Sequence, residues 1–236
     1  MRITAELAPG SHHLIAYRST ATEENLTPTT CVGFQGVADG SEAPLLISEK
    51  PSDAVTFPAG VGRKIAAGQM ISLEAHYLNA GATTIQGTGT VNFTTVPSTT
   101  ANVIESDIAF WGTQNIVLPP GAHSVGPLFA NGLAGTHGFA VTTHQHRLGT
   151  EFRIWFATSA YDVNHTPVAD TTDWANPPLY MVEPEMDFDG SNGLAYECSW
   201  NNTTGGFITY GESALQEMCF LWTYYYPSHG FDKRFQ

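Results

Sequence analysis

Short stretches of alternating apolar and polar residues recur along the whole chain, and glycine, proline or asparagine separates them. Alternation with a period of two is typical of β-strands, and turn residues between such stretches are typical of hairpins and loops. The stretches are 3–7, 13–17, 44–48, 54–57, 69–76 and 84–95, followed by 104–111, 114–118, 138–144, 151–158, 179–182, 195–200, 207–210 and 218–226. A helix-like stretch at 211–217 is too short to change the class. The chain is therefore predicted to be all-β.

A polar segment at 97–102 separates the two series of strands and reads as a linker or long turn. The 236 residues are enough for one large β domain or for two smaller ones, and either can bury a core. We predict two tandem antiparallel β-sandwich domains with jelly-roll-like strand spacing, at 1–98 and 99–236. No convincing sequence repeat relates them.

The chain carries 22 acidic and 9 basic residues, for a formal net charge of −13. Nucleic acid is a poor partner for this surface, because no basic patch could replace the counterions on phosphates. No apolar stretch reaches the length of about 18 residues that a membrane span needs. Residues 1–7 alternate like a strand and do not resemble a secretion signal, so we expect a mature or trimmed form.

Three cysteines allow at most one internal disulfide and leave one thiol over. Cys198 and Cys219 lie on two strand-like stretches separated by a turn-rich segment, and we predict that they pair. A disulfide that closes this loop stabilises a fold by about 3 kcal/mol on the chain-entropy model. It also indicates an extracellular or periplasmic protein. Cys31 is either a free thiol or half of a bridge whose partner lies outside this chain.

His144 and His146 are two residues apart at the end of an apolar strand-like stretch, 138–149. Alternate residues of a strand point to the same face, so the two imidazoles can reach one point. This is half of a metal site. Surface or hydrogen-bonded histidines give the same pattern, so the pair alone leaves both interpretations open.

A second group of histidines lies in the first half of the chain. His12 and His13 are adjacent and follow a turn, while His76 lies near the end of an alternating stretch. Adjacent residues in a regular strand face opposite ways, so both can reach one metal only if a turn or a bulge re-aims one of them. Otherwise one packs in the core and the other faces solvent.

Met218 directly precedes Cys219, so the two side chains should face opposite sides of a strand. If Cys219 is bonded to Cys198, Met218 faces the other way. A thioether is a soft ligand that suits Cu(I) and is a poor ligand for zinc, calcium or magnesium. Met218 could equally be core filler, as methionine often is in strands.

In chain order these positions read His12-His13, His76, His144-Gln-His146-Arg-Leu-Gly149, Cys198, Glu217-Met218-Cys219 and Tyr224-Tyr-Tyr-Pro227. The pattern resembles the copper type II ascorbate-dependent monooxygenases, a family that includes peptidylglycine alpha-hydroxylating monooxygenase and dopamine beta-monooxygenase. The similarity extends over nearly the whole chain and is most specific in the second half. A divergent or bacterial-type member is expected.

The resemblance implies two separate coppers, in two jelly-roll-like domains that face each other across a cleft. His12, His13 and His76 match the copper that accepts electrons from ascorbate or a similar reductant. The ligands His144, His146 and Met218 match the copper that binds O2 and hydroxylates a C–H bond. The N-terminal copper domain, 1–98, begins later than the family pattern and is expected to be N-terminally truncated.

The substrate side of the pattern departs from the peptide-amidating enzymes. Thr142 stands where those enzymes have an arginine that helps to hold the peptide carboxylate, while Phe220 and Trp222 replace an asparagine and a tyrosine. The bidentate carboxylate clamp is therefore missing, and a small apolar or aromatic substrate is expected. Phe220 and Trp222 could instead be core residues.

Two other metal sites fit the residues less well. A blue-copper site would need Cys219 as a thiolate, which its pairing with Cys198 opposes. The acidic segment 183–193 does not have the spacing of a calcium loop and is interpreted as a hairpin turn. Two hypotheses remain. The first is a copper monooxygenase acting on a small substrate with O2, and the second is a copper-binding β-sandwich protein without substrate-coupled turnover.

Overall fold

The structure, a computed structural model, describes residues 1–8, 10–31, 34, 36–37, 40–77, 79 and 81–236. The chain divides into two compact units, Met1–Asp107 and Ile108–Gln236. Strands dominate both units, which confirms the predicted all-β class. Among the described residues, no helix has the length and apolar character needed to cross a bilayer.

The first unit contains two antiparallel sheets of three strands and a short parallel pair among its described residues. Its strands are β1 Arg2–Leu7, β2 Ser11–Arg18, β3 Ala43–Ser48, β4 Ser52–Thr56, β5 Val61–Gly62, β6 Ile71–Tyr77, β7 Gly89–Thr94 and β8 Ile104–Glu105. The strand orders are β4-β1-β7 and β3-β2-β6, and β5 pairs with β8. The central strand β2 is buried along six of its eight residues, which are His12, His13 and the segment 14–17.

The first unit ends after Asp107 and includes the polar segment 97–102. Pairing of β8 with β5 holds the chain beyond this segment to the first unit. The buried guanidinium of Arg63 adds to this, since it donates to Asp107 Oδ1 at 2.5 Å, to Ser106 O at 2.7 Å and to Pro44 O at 2.6 Å. The segment at 97–102 is thus a turn within the first unit, and the division lies later in the chain than 98/99.

The second unit is built mainly from one five-stranded and one four-stranded sheet. Its strands are β9 Asp107–Thr113, β10 Val117–Leu118, β11 Gly121–Ala130, β12 Thr136–His144, β13 Gly149–Ala157, β14 Ala169–Thr171, β15 Tyr180–Phe188, β16 Gly193–Asn202, β17 Ile208–Thr209, β18 Cys219–Tyr226 and β19 Asp232–Phe235. The strand orders are β15-β12-β18-β9-β19 and β11-β16-β13-β14, with β10 paired to β17. The β11–β16, β16–β13, β13–β14, β15–β12 and β12–β18 pairs are antiparallel, whereas β9 and β19 are parallel.

Both large sheets contribute to one apolar core in the second unit, which is a sandwich arrangement. Trp111 and Leu221 come from the five-stranded sheet, and Phe152 and Tyr196 come from the four-stranded sheet. A disulfide joins Cys198 on β16 to Cys219 on β18, so it links the two sheets inside this core, and it is the pair that the sequence predicts. Cys31 is an exposed free cysteine.

Candidate metal centres

Three imidazoles lie together in the first unit. His12 and His13 belong to β2, His76 belongs to β6, and their ligand-capable nitrogen atoms lie within 4.8 Å of one another. The ring centroids are 5.3 Å apart for His12 and His13, 5.3 Å for His12 and His76, and 5.0 Å for His13 and His76. His12 and His13 are buried and His76 is half-buried. A set of three imidazoles fits copper as well as zinc, nickel or iron.

A register irregularity in β2 explains how two adjacent histidines reach the same cluster. Ser11 lies opposite Tyr77 and His13 lies opposite His76, with the register shift between Ser11 and His13. An extra residue in one strand breaks the alternation of faces and re-aims a side chain. His12 is the residue at the irregularity, and both it and His13 are buried. His12 and His13 can therefore share one site, because the strand irregularity that re-aims one of two adjacent side chains is present.

Glu74 lies beside this cluster and is held by the protein around it. Its Oε1 lies 3.9 Å from His13 Nε2 and accepts the backbone N–H of Phe34 at 2.5 Å, while Oε2 accepts the Tyr17 hydroxyl at 3.0 Å. Burial lowers the pKa of His76, and Glu74 opposes that shift. A lowered pKa keeps the imidazole neutral, which is the form that binds a metal.

Glu49, just after β3, is a second buried carboxyl group near the histidines. Burial raises the pKa of Glu49 to about 7, the charges of His13 and His12 lower it, and Asp53 raises it further. Sequence reasoning missed Glu49 and Glu74, because neither lies in a motif and their proximity to the histidines depends on how the strands pair.

In the second unit, His144 is the last residue of β12 and His146 lies in the turn that follows. The predicted strand is thus shorter than 138–149, yet the two rings still meet, with centroids 5.1 Å apart and planes at 85°. The turn is closed by a hydrogen bond from the Gly149 N–H to His146 O at 2.9 Å. Both histidines are buried, which argues against a merely exposed pair.

Met218 precedes β18, which pairs with β12 in antiparallel register. His144 lies opposite Phe220, and Met218 precedes Phe220 by two residues just as His146 follows His144 by two. Directly opposite residues of an antiparallel pair point to the same face. Met218 is 2% exposed, whereas its neighbour Cys219 belongs to the core between the sheets. Alternation therefore directs Met218 away from that core, on the histidine side of the sheet.

Glu217 connects the turn of His146 to the start of β18. Its Oε2 accepts the His146 N–H at 3.0 Å and the Trp200 Nε1–H at 2.9 Å, and its Oε1 accepts the Leu148 N–H at 2.9 Å. Burial raises the pKa of Glu217, and the hydrogen bonds from Leu148, His146 and Trp200 oppose this shift. His146 Nδ1 also lies 2.9 Å from Gln216 O.

Sequence analysis used Glu217 only as part of a motif and assigned it no role. The sequence does contain one signal, which is the position of this carboxylate directly before Met218. A carboxylate that is buried next to an apolar side chain needs hydrogen-bond donors around it. Those partners lie 17 to 71 residues away in the chain, so they could not be named from the sequence.

Thr142, Phe220 and Trp222 lie on the same face of the five-stranded sheet as His144. Thr142 is opposite Trp222 and His144 is opposite Phe220 in the register of β12 and β18. Phe110 on β9, which sequence reasoning did not single out, stacks on Phe220 and Trp222 at centroid distances of 5.0 and 5.9 Å. These three rings belong to an aromatic group next to the histidines, and Phe235 joins it with its ring centroid 5.0 Å from that of Phe220.

Gly112 on β9 makes room for this group. A Cβ at this position would overlap the Phe220 ring and the Cys219 carbonyl oxygen. Because residue 112 is glycine, the Phe220 ring can pack directly on β9 of the same sheet. Among Thr142, Phe220 and Trp222, Phe220 thus has the clearest packing role in the second unit.

A β-sandwich with two buried histidines at the end of one strand, and a Met-Cys pair at the start of its neighbour, defines a candidate metal-binding domain. Residues 129–234 match the family model described as copper type II ascorbate-dependent monooxygenase, C-terminal domain. The second unit is therefore similar to the C-terminal domain of this family over residues 129–234, which confirms the predicted resemblance for that range. The matched range contains His144, His146 and Met218. No curated protein sequence gives a significant match to the chain.

Proposed function

We propose that the protein is a copper-dependent monooxygenase that hydroxylates a C–H bond of a small apolar or aromatic compound. The observation that carries this proposal is the match to the copper monooxygenase family over the unit that holds His144, His146 and Met218. The cluster of three imidazoles in the first unit supports it, because a second redox centre needs such a ligand set.

The two sets of ligands differ in a way that suits two different tasks. His12, His13 and His76 would hold the copper that receives electrons from ascorbate or a similar reductant, since imidazole binds both Cu(I) and Cu(II). Met218 would add a thioether to His144 and His146, and a soft ligand of this kind favours Cu(I). The donor sets on both units therefore fit copper.

When bound, copper would supply one-electron redox chemistry and the activation of O2. The overall reaction converts a C–H bond, O2, two electrons and two protons into a C–OH bond and water, with the two electrons taken from the reductant. The residues around the second set exclude bulk water, because His144, His146 and Met218 are all at most 4% exposed. Glu217 and the Gln216 carbonyl group hold the backbone and ring of His146.

The side chains around His144 favour an apolar or aromatic substrate. Thr142, Phe220 and Trp222 share its face of the sheet, with Phe110 stacked on the two aromatic rings. Position 142 carries no guanidinium that could bind a carboxylate in a bidentate pair. We propose that these residues contact the substrate through dispersion and ring stacking.

The disulfide between Cys198 and Cys219 supports a location outside the reducing cytosol. We therefore propose that the protein works in the extracellular space or the periplasm. Its small-molecule partners would be the organic substrate, O2 and the reductant.

The experiment is oxygen uptake by the copper-loaded protein with ascorbate, measured against a panel of compounds. Phenethyl-type aromatics and short apolar amides represent the proposed class, and a peptide with a C-terminal glycine is the matched comparison. Substrate-dependent uptake, with hydroxylated product formed in equal amount, is expected for the first group only. Copper binding with no uptake above the substrate-free rate for any compound would instead indicate a copper-binding protein without turnover.

A further inference from the structure

Glu217 is the buried carboxylate of the second unit, Ile108–Gln236. It is 0% exposed and lies next to Met218, yet the proposed reaction does not use it as a ligand. Two oxygens of one carboxylate accept three N–H donors, from His146, Leu148 and Trp200, at 2.9 to 3.0 Å. An ionised carboxylate is an acceptor only and can satisfy such a set of donors.

We propose that Glu217 is a positioning residue that sets His146 relative to Met218 in the second copper site. This inference rests on the proposed function. The carboxylate belongs to the residue before Met218 and accepts hydrogen bonds from the turn that contains His146, so it ties together two ligands from different segments of the chain. Residues that orient metal ligands from behind typically change metal affinity by about 10- to 100-fold.

Two consecutive residues contact His146, and Met218 follows them directly in the chain. Gln216 O lies 2.9 Å from His146 Nδ1, and Glu217 Oε2 accepts the His146 backbone N–H. A proton on Nδ1 that is donated to the Gln216 carbonyl places the imidazole lone pair on Nε2. The ring orientation, the tautomer and the backbone position of His146 are thus determined by the segment that supplies the thioether.

The turn is also held from its other end. Leu148 donates its N–H to Glu217 Oε1, and its carbonyl oxygen accepts the Asn201 N–H at 2.9 Å. The Gln145 side chain donates to Ser199 O at 3.1 Å. The turn is therefore bound to β16 and to the segment just before β18, where Glu217 is adjacent to Met218 in sequence.

Glutamine is the most informative replacement for Glu217, because it keeps the size of the side chain. Its amide has one acceptor oxygen and an NH2 group that would face an N–H donor. E217Q should therefore displace at least one of the His146 and Leu148 amides while it leaves every copper ligand in place. E197Q is the matched control, since Glu197 is also on the second unit but pairs with Arg153.

The test compares the full chain with its E217Q and E197Q variants, each loaded anaerobically with Cu(I). Cu(I) affinity is measured by competition with a chelator, and the Cu–S contribution is measured by X-ray absorption. We expect E217Q to lose about tenfold or more in affinity at the second site, together with most of the Cu–S contribution. E197Q should match the wild-type protein. Wild-type affinity and Cu–S contribution in E217Q would overturn the role of Glu217 and leave the proposed function intact.

A wild-type protein that binds no copper at His144, His146 and Met218 would overturn the proposed function and this inference together. Amide hydrogen exchange of the metal-free wild type gives a second test that needs no variant to fold. The His146 and Leu148 amides should exchange slowly, at rates similar to those of the core strands, because both are hydrogen-bonded to a buried group. Exchange at the rate of unprotected peptide would overturn the positioning role. In a folded E217Q, at least one of these two amides should exchange about tenfold faster or more.

Discussion

His13 on β2 lies directly opposite His76 on β6, and the centroids of their rings are 5.0 Å apart. The pair belongs to regular strand pairing, while His12 joins it through the register irregularity just before His13. Because paired strands position all three side chains, the cluster should persist in the metal-free protein. This rigidity makes single ligand substitutions informative.

Replacement of His76 by alanine should weaken copper binding in the first unit by at least about tenfold, because one of three imidazole ligands is lost. Copper bound at the second unit should be retained. Competition titration with a chelator measures both affinities. Replacement of His123, which lies on β11 in the second unit, is the control and should change neither. Unchanged affinity in the H76A protein would mean that the three histidines do not form a copper site.

Replacement of Met218 by leucine should lower Cu(I) affinity at the second unit while it changes Cu(II) affinity less, since the thioether favours the reduced ion. Leucine nearly conserves volume, so the free energy of unfolding should change by less than about 1.5 kcal/mol. The matched control is M186L, because Met186 is also 2% exposed but belongs to the core between the sheets. Equal Cu(I) affinities for M218L and M186L would contradict the assignment of Met218.

Replacement of both Cys198 and Cys219 by alanine should destabilise the second unit. The bond spans 21 residues, and a closed loop of that size is worth about 3 kcal/mol. Urea denaturation of the metal-free protein measures the free energy of unfolding. Replacement of the exposed Cys31 by serine should leave that free energy unchanged within about 0.5 kcal/mol. A double-alanine protein as stable as wild type would refute the structural role of the disulfide.

The metal-free protein should lose stability as the pH rises from about 4.5 to about 7 through Glu49. The folded-state pKa of Glu49 is raised to about 7 from 4.5. The protonated form is favoured in the fold, so its contribution is complete below pH 4.5 and is lost as the pH rises through 7. The charges of His12 and His13 lower this pKa, and Asp53 raises it.

Replacement of Glu49 by glutamine removes this titration. E49Q should be more stable than wild type at pH 8, by about 3 kcal/mol as an upper value, and the difference should vanish at pH 4. Chelator-treated protein and urea denaturation at both pH values give the comparison. An E49Q effect of the same size at pH 4 and pH 8 would contradict the raised pKa.

The sequence predicts the strands that carry the candidate ligands because those strands are apolar and regular. The stretch 218–226 corresponds to β18 at Cys219–Tyr226, and 138–144 corresponds to β12 at Thr136–His144. It misses β11 at Gly121–Ala130, where Pro127 interrupts the alternation and the register shifts beside it. It also misses β19, since Asp232–Phe235 is polar and forms a strand through its pairing with β9.

The histidines of the candidate sites could be predicted because their type and spacing carry the signal. From the sequence, an irregularity in β2 could be named only as a requirement for His12 and His13 to share a site. Its presence depends on the register of β2 with β6, which the sequence does not give. Glu217 and Phe110 act through contacts between residues distant in the chain. Local patterns do not contain such pairings, so these two residues emerge only from the structure.

Copper stoichiometry tests the central claim most directly. Metal analysis of the folded, fully loaded wild-type protein should give two coppers per chain, and H76A and H144A should each give one. Two coppers in wild type, with one lost in each variant, would establish a site at His12, His13 and His76 and another at His144, His146 and Met218. One copper or none in folded wild-type protein would contradict the account.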